Sequence, residues 1–242
     1  MNKQLIPCLY LQAEKAVTGF GQRNLFGDGN VETLAKFYGD NGADELLVFD
    51  FSSADAEHDR AIGKIRDICQ VSEIPVIAAG NIKRMEDVQR ILYSGAKRVI
   101  LNFSKPDSAE MMAKAAERFG KEKVAVSLDD FDGLFKHQHL IEDNCSQLIF
   151  MHRLDLNSIM NVTDVPCVII TDTEEESELF KILKSEGVKG LSGRYISQPE
   201  MNFNDFKELC EKEDIQMTSF ESIMEFSQFK TNDQGLIPVI VQ

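Results

Sequence analysis

The sequence of 242 residues is short of positive charge. Its 26 lysines and arginines stand against 40 aspartates and glutamates, which gives a net charge of −14 at pH 7. Nucleic-acid binding depends on clustered lysine and arginine side chains that neutralise phosphates. The charge balance therefore argues against a nucleic-acid partner and favours small molecules or proteins as ligands.

Long apolar stretches and paired cysteines are also missing. The first apolar run, Leu5–Leu11, is interrupted by Pro7 and is too short for a signal peptide. No segment approaches the ~20 apolar residues that a membrane helix requires. The five cysteines are odd in number and form no CxxC pair. These absences predict a cytoplasmic protein with reduced thiols and no membrane association.

Short aliphatic segments alternate with amphipathic helical patterns along most of the chain. Most of these segments are apolar at consecutive positions, as in parallel strands that are buried on both faces. Strands are predicted at Leu5–Leu11, Glu45–Phe51, Pro75–Ala79, Arg98–Asn102, Lys123–Leu128, Gln147–His152, Pro166–Thr171 and Lys189–Ser192. Helices are predicted at Val31–Asn41, Ala54–Cys69, Arg84–Ser94, Ser108–Phe119, Glu174–Ser185 and Asn204–Glu213.

This alternation predicts an α/β protein, a single (β/α)8 TIM barrel over residues 1–214. The stretches after the fifth and sixth strands are poorly patterned, so the barrel should be irregular around helices 5 and 6. An internal repeat supports the barrel, because Ile74–Leu101 aligns with Val165–Ser192 at an offset of 91 to 92 residues. The repeat sets the first strand against the fifth. Tyr10 and Asp129 should therefore face each other across the barrel mouth.

Several stretches carry a family resemblance. "LIPCLYLQ", "NGADELLVFDF", "IPVIAAGNIKRMEDVQRILYSGAKRVILN" and "AAERFGKEKVAVSLD" resemble the cyclase subunit of imidazole glycerol phosphate synthase, a histidine-biosynthesis barrel. The match is close over Leu5–Asp129 and fades beyond it. The tail, "FKTNDQGLIPVIVQ", resembles the opening of phosphoribosyl-AMP cyclohydrolase. Residues 215–242 are therefore expected to be a linker and the first strand of a truncated second domain. The alternative is a C-terminal strand that folds back on the barrel.

The resemblance implies a pair of catalytic carboxylates at the ends of the first and fifth strands. Ring closure needs one proton removed and another donated, which two such groups can do. Asp129 is the retained acid, whereas Tyr10 replaces the acid of the first strand. A phenol with a pKa near ~10 is not a carboxylate base at neutral pH.

The family's phosphate-binding turns are eroded as well. Glycine-rich turns after the third and seventh strands let backbone N–H groups approach phosphates. Here one turn keeps only Gly80, beside Asn81, and the other carries Asp172 without a glycine. Asp50 and Asn102 match substrate-contacting positions, with loop or helix capping as the alternative. A phosphorylated small molecule remains a possible ligand at Asp50, Gly80, Asn81 and Asn102.

The family also has a charged ring at the base of the barrel, through which ammonia enters. Glu45 and Arg98 match two of its members, while Gln4 and Gln147 replace the other two. These replacements argue against an ammonia gate, and a surface ion pair is the preferred interpretation. His137 and His139 lack a third ligand at a suitable spacing, so no metal or cofactor is predicted.

These features favour a degenerate, non-catalytic barrel within a histidine-biosynthesis polypeptide whose activity is that of phosphoribosyl-AMP cyclohydrolase. Its partner would be its own cyclohydrolase domain or another pathway protein. Two alternatives stay open: an active cyclase-like or isomerase-like enzyme on a phosphoribosyl substrate, and a barrel that senses a metabolite.

Overall fold

The computed structural model describes residues 1–19, 22, 24–105, 107–151 and 163–219, together with the backbone of residues 229–232 and 235–238. The strands are β1 (Gln4–Leu5), β2 (Cys8–Gln12), β3 (Lys15–Val17), β4 (Leu46–Asp50), β5 (Val76–Ala79), β6 (Arg98–Asn102), β7 (Val124–Leu128), β8 (Gln147–Phe150), β9 (Cys167–Thr171), β10 (Val188–Gly193), β11 (Phe229–Asn232) and β12 (Gly235–Pro238). The helices are α1 (Val31–Asp40), α2 (Asp55–Val71), α3 (Met85–Tyr93), α4 (Ser108–Phe119), α5 (Phe131–Asn144), α6 (Glu176–Lys184) and α7 (Phe203–Lys212).

The main sheet closes through its first strand, which is divided at Ile6-Pro7. Residues of β1 pair in parallel with β10, whereas residues of β2 pair in parallel with β4. The Ile6 N–H donates to the Leu191 carbonyl at 2.9 Å, and the Pro7 carbonyl accepts from the Leu47 N–H at 2.9 Å. All remaining neighbours from β4 to β10 pair in parallel and in sequence order. The first strand thus lies beside the last, and the predicted (β/α)8 barrel is confirmed.

Two apolar cores flank the barrel strands. The inner core fills the barrel with fully or nearly fully buried side chains from seven strands, among them Ile6, Leu47, Ile77, Ala125, Ile149 and Val168. The outer core lies between the strands and the surrounding helices and includes Leu5, Val48, Ile65 and Phe203. Burial on both faces explains why the strands are apolar at consecutive positions.

The fifth helix is longer than its poor patterning indicated, but it is irregular as predicted. α5 runs for 14 residues and contains one non-helical residue, His137, at φ −126° and ψ 21°. The His137 ring lies edge-on to Phe103, with ring centroids 5.2 Å apart. The sequence assigned to the sixth helix falls mostly on residues 152–162, which lie outside the described part of the chain.

The chain after α7 first packs on the base of the barrel. Ile215 and Met217 are buried in the outer core, and the Lys3 N–H donates to the Gln216 carbonyl at 2.8 Å. Farther on, β11 and β12 pair antiparallel as a separate two-stranded sheet. None of the helices in the described part of the chain combines the length and hydropathy needed to cross a bilayer.

Candidate functional site

A cavity of about 1300 Å³ opens at the carboxyl ends of the barrel strands. All six residues predicted for the site line it, namely Tyr10, Asp50, Gly80, Asn81, Asn102 and Asp129. The cavity also receives residues that sequence reasoning did not assign to it, including Cys8, Lys105, Arg194, Ser197 and Glu200. In a barrel of this kind the carboxyl ends of the strands are where ligands bind.

Tyr10 lies in an aromatic wall at one side of the cavity. Its ring stacks on Phe49 at 5.8 Å and on Phe51 at 5.5 Å between centroids. Its hydroxyl oxygen accepts from the Cys8 thiol at 3.4 Å. Burial raises the pKa of the Tyr10 phenol above its usual value, and nearby Cys8 and Asp172 raise it further. The phenol is therefore neutral across the physiological pH range.

Asp129 is exposed just beyond β7, on the fifth barrel strand, while Tyr10 lies on the first. Both line the same cavity from opposite sides of the eight-stranded barrel. The Ser104 hydroxyl donates to Asp129 Oδ2 at 2.7 Å. Asp129 thus remains accessible to a ligand and has a single hydroxyl neighbour at hydrogen-bond distance among the described residues.

Asp50 is buried and is held by protein groups on three sides. Its Oδ2 lies 2.5 Å from Nδ1 of His58 and accepts from the Asn81 side-chain amide at 3.1 Å. Its Oδ1 accepts from the Ser52 N–H at 2.8 Å. Burial opposes ionisation, but the hydrogen bonds from His58, Ser52 and Asn81 outweigh it and lower the pKa of Asp50 below its usual value. The Asp50 carboxylate thus links the end of β4 to the turn after β5 through Asn81 and to α2 through His58.

Gly80 and Asn81 have a structural reason for their identities. Gly80 has a φ of +102°, and a Cβ there would lie 2.0 Å from the Asp50 carbonyl oxygen. Asn81 also has a positive φ, +53°, and its side-chain amide donates to the Ser52 carbonyl at 2.6 Å. Asparagine tolerates this left-handed conformation better than most residues. The turn after β5 is therefore shaped to pack against the end of β4.

Asn102 closes the loop that follows β6. Its Oδ1 accepts from the Ser104 N–H at 2.8 Å, and its carbonyl accepts from the Ser108 hydroxyl at the start of α4. Asp50 makes the same two-residue contact to Ser52. The alternative considered for Asp50 and Asn102 was that each side chain caps the loop or helix that follows its strand. Both side chains make such a contact in the structure.

The charge of the cavity lining is predominantly negative. Four carboxylates, Asp50, Asp129, Asp172 and Glu200, stand against two cations, Lys105 and Arg194. Arg194 Nε lies 3.6 Å from Glu174 Oε1, so part of its charge is already compensated. Asp129, Asp172 and Glu200 have no cation within ion-pair distance among the described residues.

The preferred interpretation of Glu45 and Arg98 as a surface ion pair is wrong, because both side chains are buried at the base of the barrel. Arg98 Nη1 donates to the two carboxylate oxygens of Glu45 at 3.2 and 3.3 Å and contacts Gln147 Oε1 at 3.4 Å. Although burial opposes ionisation, Arg98 and Lys97 together lower the pKa of Glu45 below its usual value. Glu45 and Arg98 are enclosed by the neighbouring barrel strands, and their spacing in the sequence gave no indication of this burial.

Sequence reasoning missed His58, one of the partners of Asp50. His58 lies on α2 and its Nε2 is 3.9 Å from Asp87 Oδ1 on α3, so a buried imidazole stands between two carboxylates. The sequence gives only a weak indication of this contact: His58 falls in the first turn of a predicted helix, and the strand before that helix ends in Asp50. Cys8 was also missed, although its signal was stronger: residues two apart on a strand share a face, and Cys8 is two residues from Tyr10.

The sequence is similar to known proteins of histidine biosynthesis. The profile of the histidine biosynthesis protein family matches residues 4–176. The imidazole glycerol phosphate synthase subunit HisF of Staphylococcus epidermidis is 33% identical over 131 residues, 54% of this chain and 52% of the relative. The subunit of the same name from Methanocaldococcus jannaschii is 33% identical over 129 residues, 53% of this chain and 47% of the relative. The matches thus span about half the length of these relatives. On the family match, which covers most of the barrel, the chain is a member of the histidine biosynthesis protein family.

Proposed function

We propose that this barrel is a catalytically inactive relative of the cyclase, acting as a binding or assembly domain of a histidine-biosynthesis polypeptide. The observation that carries the proposal is the state of Tyr10. Its phenol stands in the cavity wall opposite Asp129, stacked on Phe49 and Phe51, with a raised pKa.

The chemistry of ring closure explains why this matters. One group must remove a proton and another must donate one, and each works best when its pKa lies near the operating pH. A neutral phenol with a raised pKa is not a base at pH 7, which leaves Asp129 without a partner of the required kind. Losing one of two cooperating acid–base groups commonly costs ~10²–10⁴ in rate.

The environment of the former phosphate turns supports the same proposal. Gly80 packs against the backbone of Asp50, and the Asn81 side chain is bonded to Asp50 and Ser52. At the other turn, Asp172 places a negative charge where a phosphate would have to approach. A substrate with two phosphates would therefore be held poorly and out of alignment with Asp129.

The assay is ammonia-dependent cyclisation of the family's bis-phosphorylated intermediate, with purified protein and a high ammonium concentration at mildly alkaline pH. We expect no turnover above the uncatalysed rate, for the wild type and equally for Tyr10→Asp, since the substrate would remain unanchored. Turnover by the wild type that disappears in Asp129→Asn would overturn the proposal and favour a rewired enzyme.

A second candidate, a metabolite sensor, is favoured by one observation: the cavity is open at about 1300 Å³ even with the Tyr10 ring in its wall. A domain kept only for assembly has no need of such a space. Ligand binding without turnover in the same assay would favour the sensor.

We further propose that the segment after the barrel is a separate unit of the cyclohydrolase type. The contacts of Ile215, Gln216 and Met217 with the barrel support a boundary after Thr218 rather than at residue 215. The pairing of β11 with β12 alone supports a separate unit. Measuring hydrolysis of phosphoribosyl-AMP by the natural gene product tests the cyclohydrolase assignment, and absence of hydrolysis would refute it.

A further inference from the structure

We infer that the cavity binds an organic cation with an apolar or aromatic body, such as a protonated amine on a ring, in preference to a phosphorylated ligand. This inference rests on the proposed function, because it names the ligand class of a site that no longer catalyses cyclisation. It concerns the sector of the cavity between β2, β9 and β10.

The shape and lining of the cavity provide the first step. A volume of about 1300 Å³ exceeds the range of ~300–1,000 Å³ typical of small-molecule sites, so a ring-sized ligand fits. Phe26, Phe49 and Met151 line the cavity together with Tyr10 and Phe51 and contribute apolar surface to it. The stacked rings of Tyr10, Phe49 and Phe51 favour a ligand that carries a hydrophobic body and not merely an ion.

The charges provide the second step. Asp172 lies immediately after β9, and Glu200 lies in the segment between β10 and α7; both line the cavity and neither has an ion-pair partner among the described residues. Asp172 follows β9, and only β10 separates β9 from the first barrel strand, which carries Tyr10. The carboxylate and the aromatic wall therefore lie in the same sector of the cavity. A cation there gains attraction from the carboxylates and from the electron-rich aromatic rings.

The same arrangement works against anions. Two cations line the cavity among the described residues. Arg194 directly follows β10, and Glu174 Oε1 lies 3.6 Å from its Nε, so its charge in this sector is partly compensated. Lys105 belongs to the loop after β6, on the far side of the barrel from β10. The overall charge of −14 adds a negative field that raises the local concentration of cations and lowers that of phosphates. Charge and lining thus select the same class of ligand.

The experiment uses three probes of nearly equal shape and different charge: phenethylamine, 2-phenylethanol and 3-phenylpropionate, with ribose 5-phosphate as the phosphorylated reference. Binding to the full chain is measured by calorimetry or ligand-observed NMR at low and high salt. We expect phenethylamine to bind about tenfold more tightly than 3-phenylpropionate at low salt, and the preference to shrink at 0.5 M salt.

Variants assign the preference to the site. Asp172→Asn combined with Glu200→Gln should reduce the preference for the cation several-fold while leaving 2-phenylethanol unchanged. Glu117→Gln, which removes an exposed charge on α4 outside the cavity, is the matched control and should have no effect.

Equal binding of the three probes, tighter binding of ribose 5-phosphate, no binding of any probe, or an equal loss in the Glu117→Gln control would each overturn the inference. These outcomes differ from failure of the proposed function, which would appear as turnover in the cyclase assay. Cyclase turnover with a preference for cations would overturn only the proposed function.

Discussion

Gly80 lies so close to the end of β4 that its identity is fixed by packing before any ligand is considered. Its φ of +102° belongs to a region that residues with a side chain rarely adopt, and the missing Cβ makes room for the Asp50 carbonyl oxygen. Gly193 is under the same constraint: its φ is +124°, and a Cβ there would lie 1.9 Å from the Thr171 carbonyl oxygen. Gly80 and Gly193 are thus required by strand packing, independently of any ligand.

Gly80→Ala should destabilise the protein strongly. The new Cβ would collide with backbone that cannot move without disturbing the contacts of Asp50, and the residue would be strained at positive φ. We expect a loss of roughly 2–4 kcal/mol in the free energy of unfolding, measured by urea denaturation. Gly63→Ala on α2 is the control, since a Cβ there meets nothing within 4 Å. That change should stabilise by about 0.5–1 kcal/mol. Similar effects at both positions would contradict the packing argument.

Asp44 predicts a particular pH dependence of stability. Burial raises its pKa to about 6, although Lys207 Nζ at 2.7 Å and the Leu5 N–H at 2.8 Å oppose the rise. The folded protein therefore binds a proton at Asp44 more tightly than the unfolded chain does, and stability falls as pH rises from the unfolded pKa near 4 to the folded value.

Asp44→Asn should remove this dependence. Between pH 4 and pH 7 the free energy of unfolding of the wild type should fall by roughly 2 kcal/mol relative to the variant, at about 1.4 kcal/mol per pKa unit and with the unfolded carboxyl already half ionised at pH 4. Urea denaturation across this range measures the difference. Asp214→Asn, at an exposed position, should run parallel to the wild type. A constant gap between the wild type and Asp44→Asn would show that the carboxyl group titrates normally.

At the scale of elements, the sequence predicted the barrel well because most residues on both faces of the barrel strands are buried. The bounds of the eight barrel strands and of six helices agree with the predictions within two residues. β3, which pairs antiparallel with β2, was missed because three residues are too few for a pattern. The length of α5 was missed because its apolar periodicity is interrupted near the kink at His137.

The candidate site was predicted in part for a related reason. Parallel strands bring their carboxyl ends to one edge, so residues at those ends were expected to share a cavity, and they do. The interactions between elements were not predictable in the same way. The contact of His58 with Asp50 and the burial of Arg98 over Glu45 depend on how helices and strands pack, which no local spacing records.

At the scale of the whole molecule, the end of the chain divides into two parts with different contacts. Residues 215–218 extend the barrel, since the Thr218 N–H donates to the Lys3 carbonyl at 2.9 Å and Met217 is buried. The strands β11 and β12 pair with each other and not with the ten-stranded sheet. The stability of the barrel should therefore depend on the first part and not on the second.

Two deletions separate these contributions. Removing residues 220–242 should leave the Tm within about 2 °C of the full chain, because no barrel strand loses a described partner. Removing residues 215–242 also strips Ile215 and Met217 from the outer core, which are 3% and 6% exposed. Burial of two such side chains contributes roughly 3–6 kcal/mol, so the Tm should fall by about 10 °C or more. Calorimetry of both proteins measures the shifts. A large fall in the shorter deletion would mean that the hairpin stabilises the barrel, and would contradict a unit that folds apart from it.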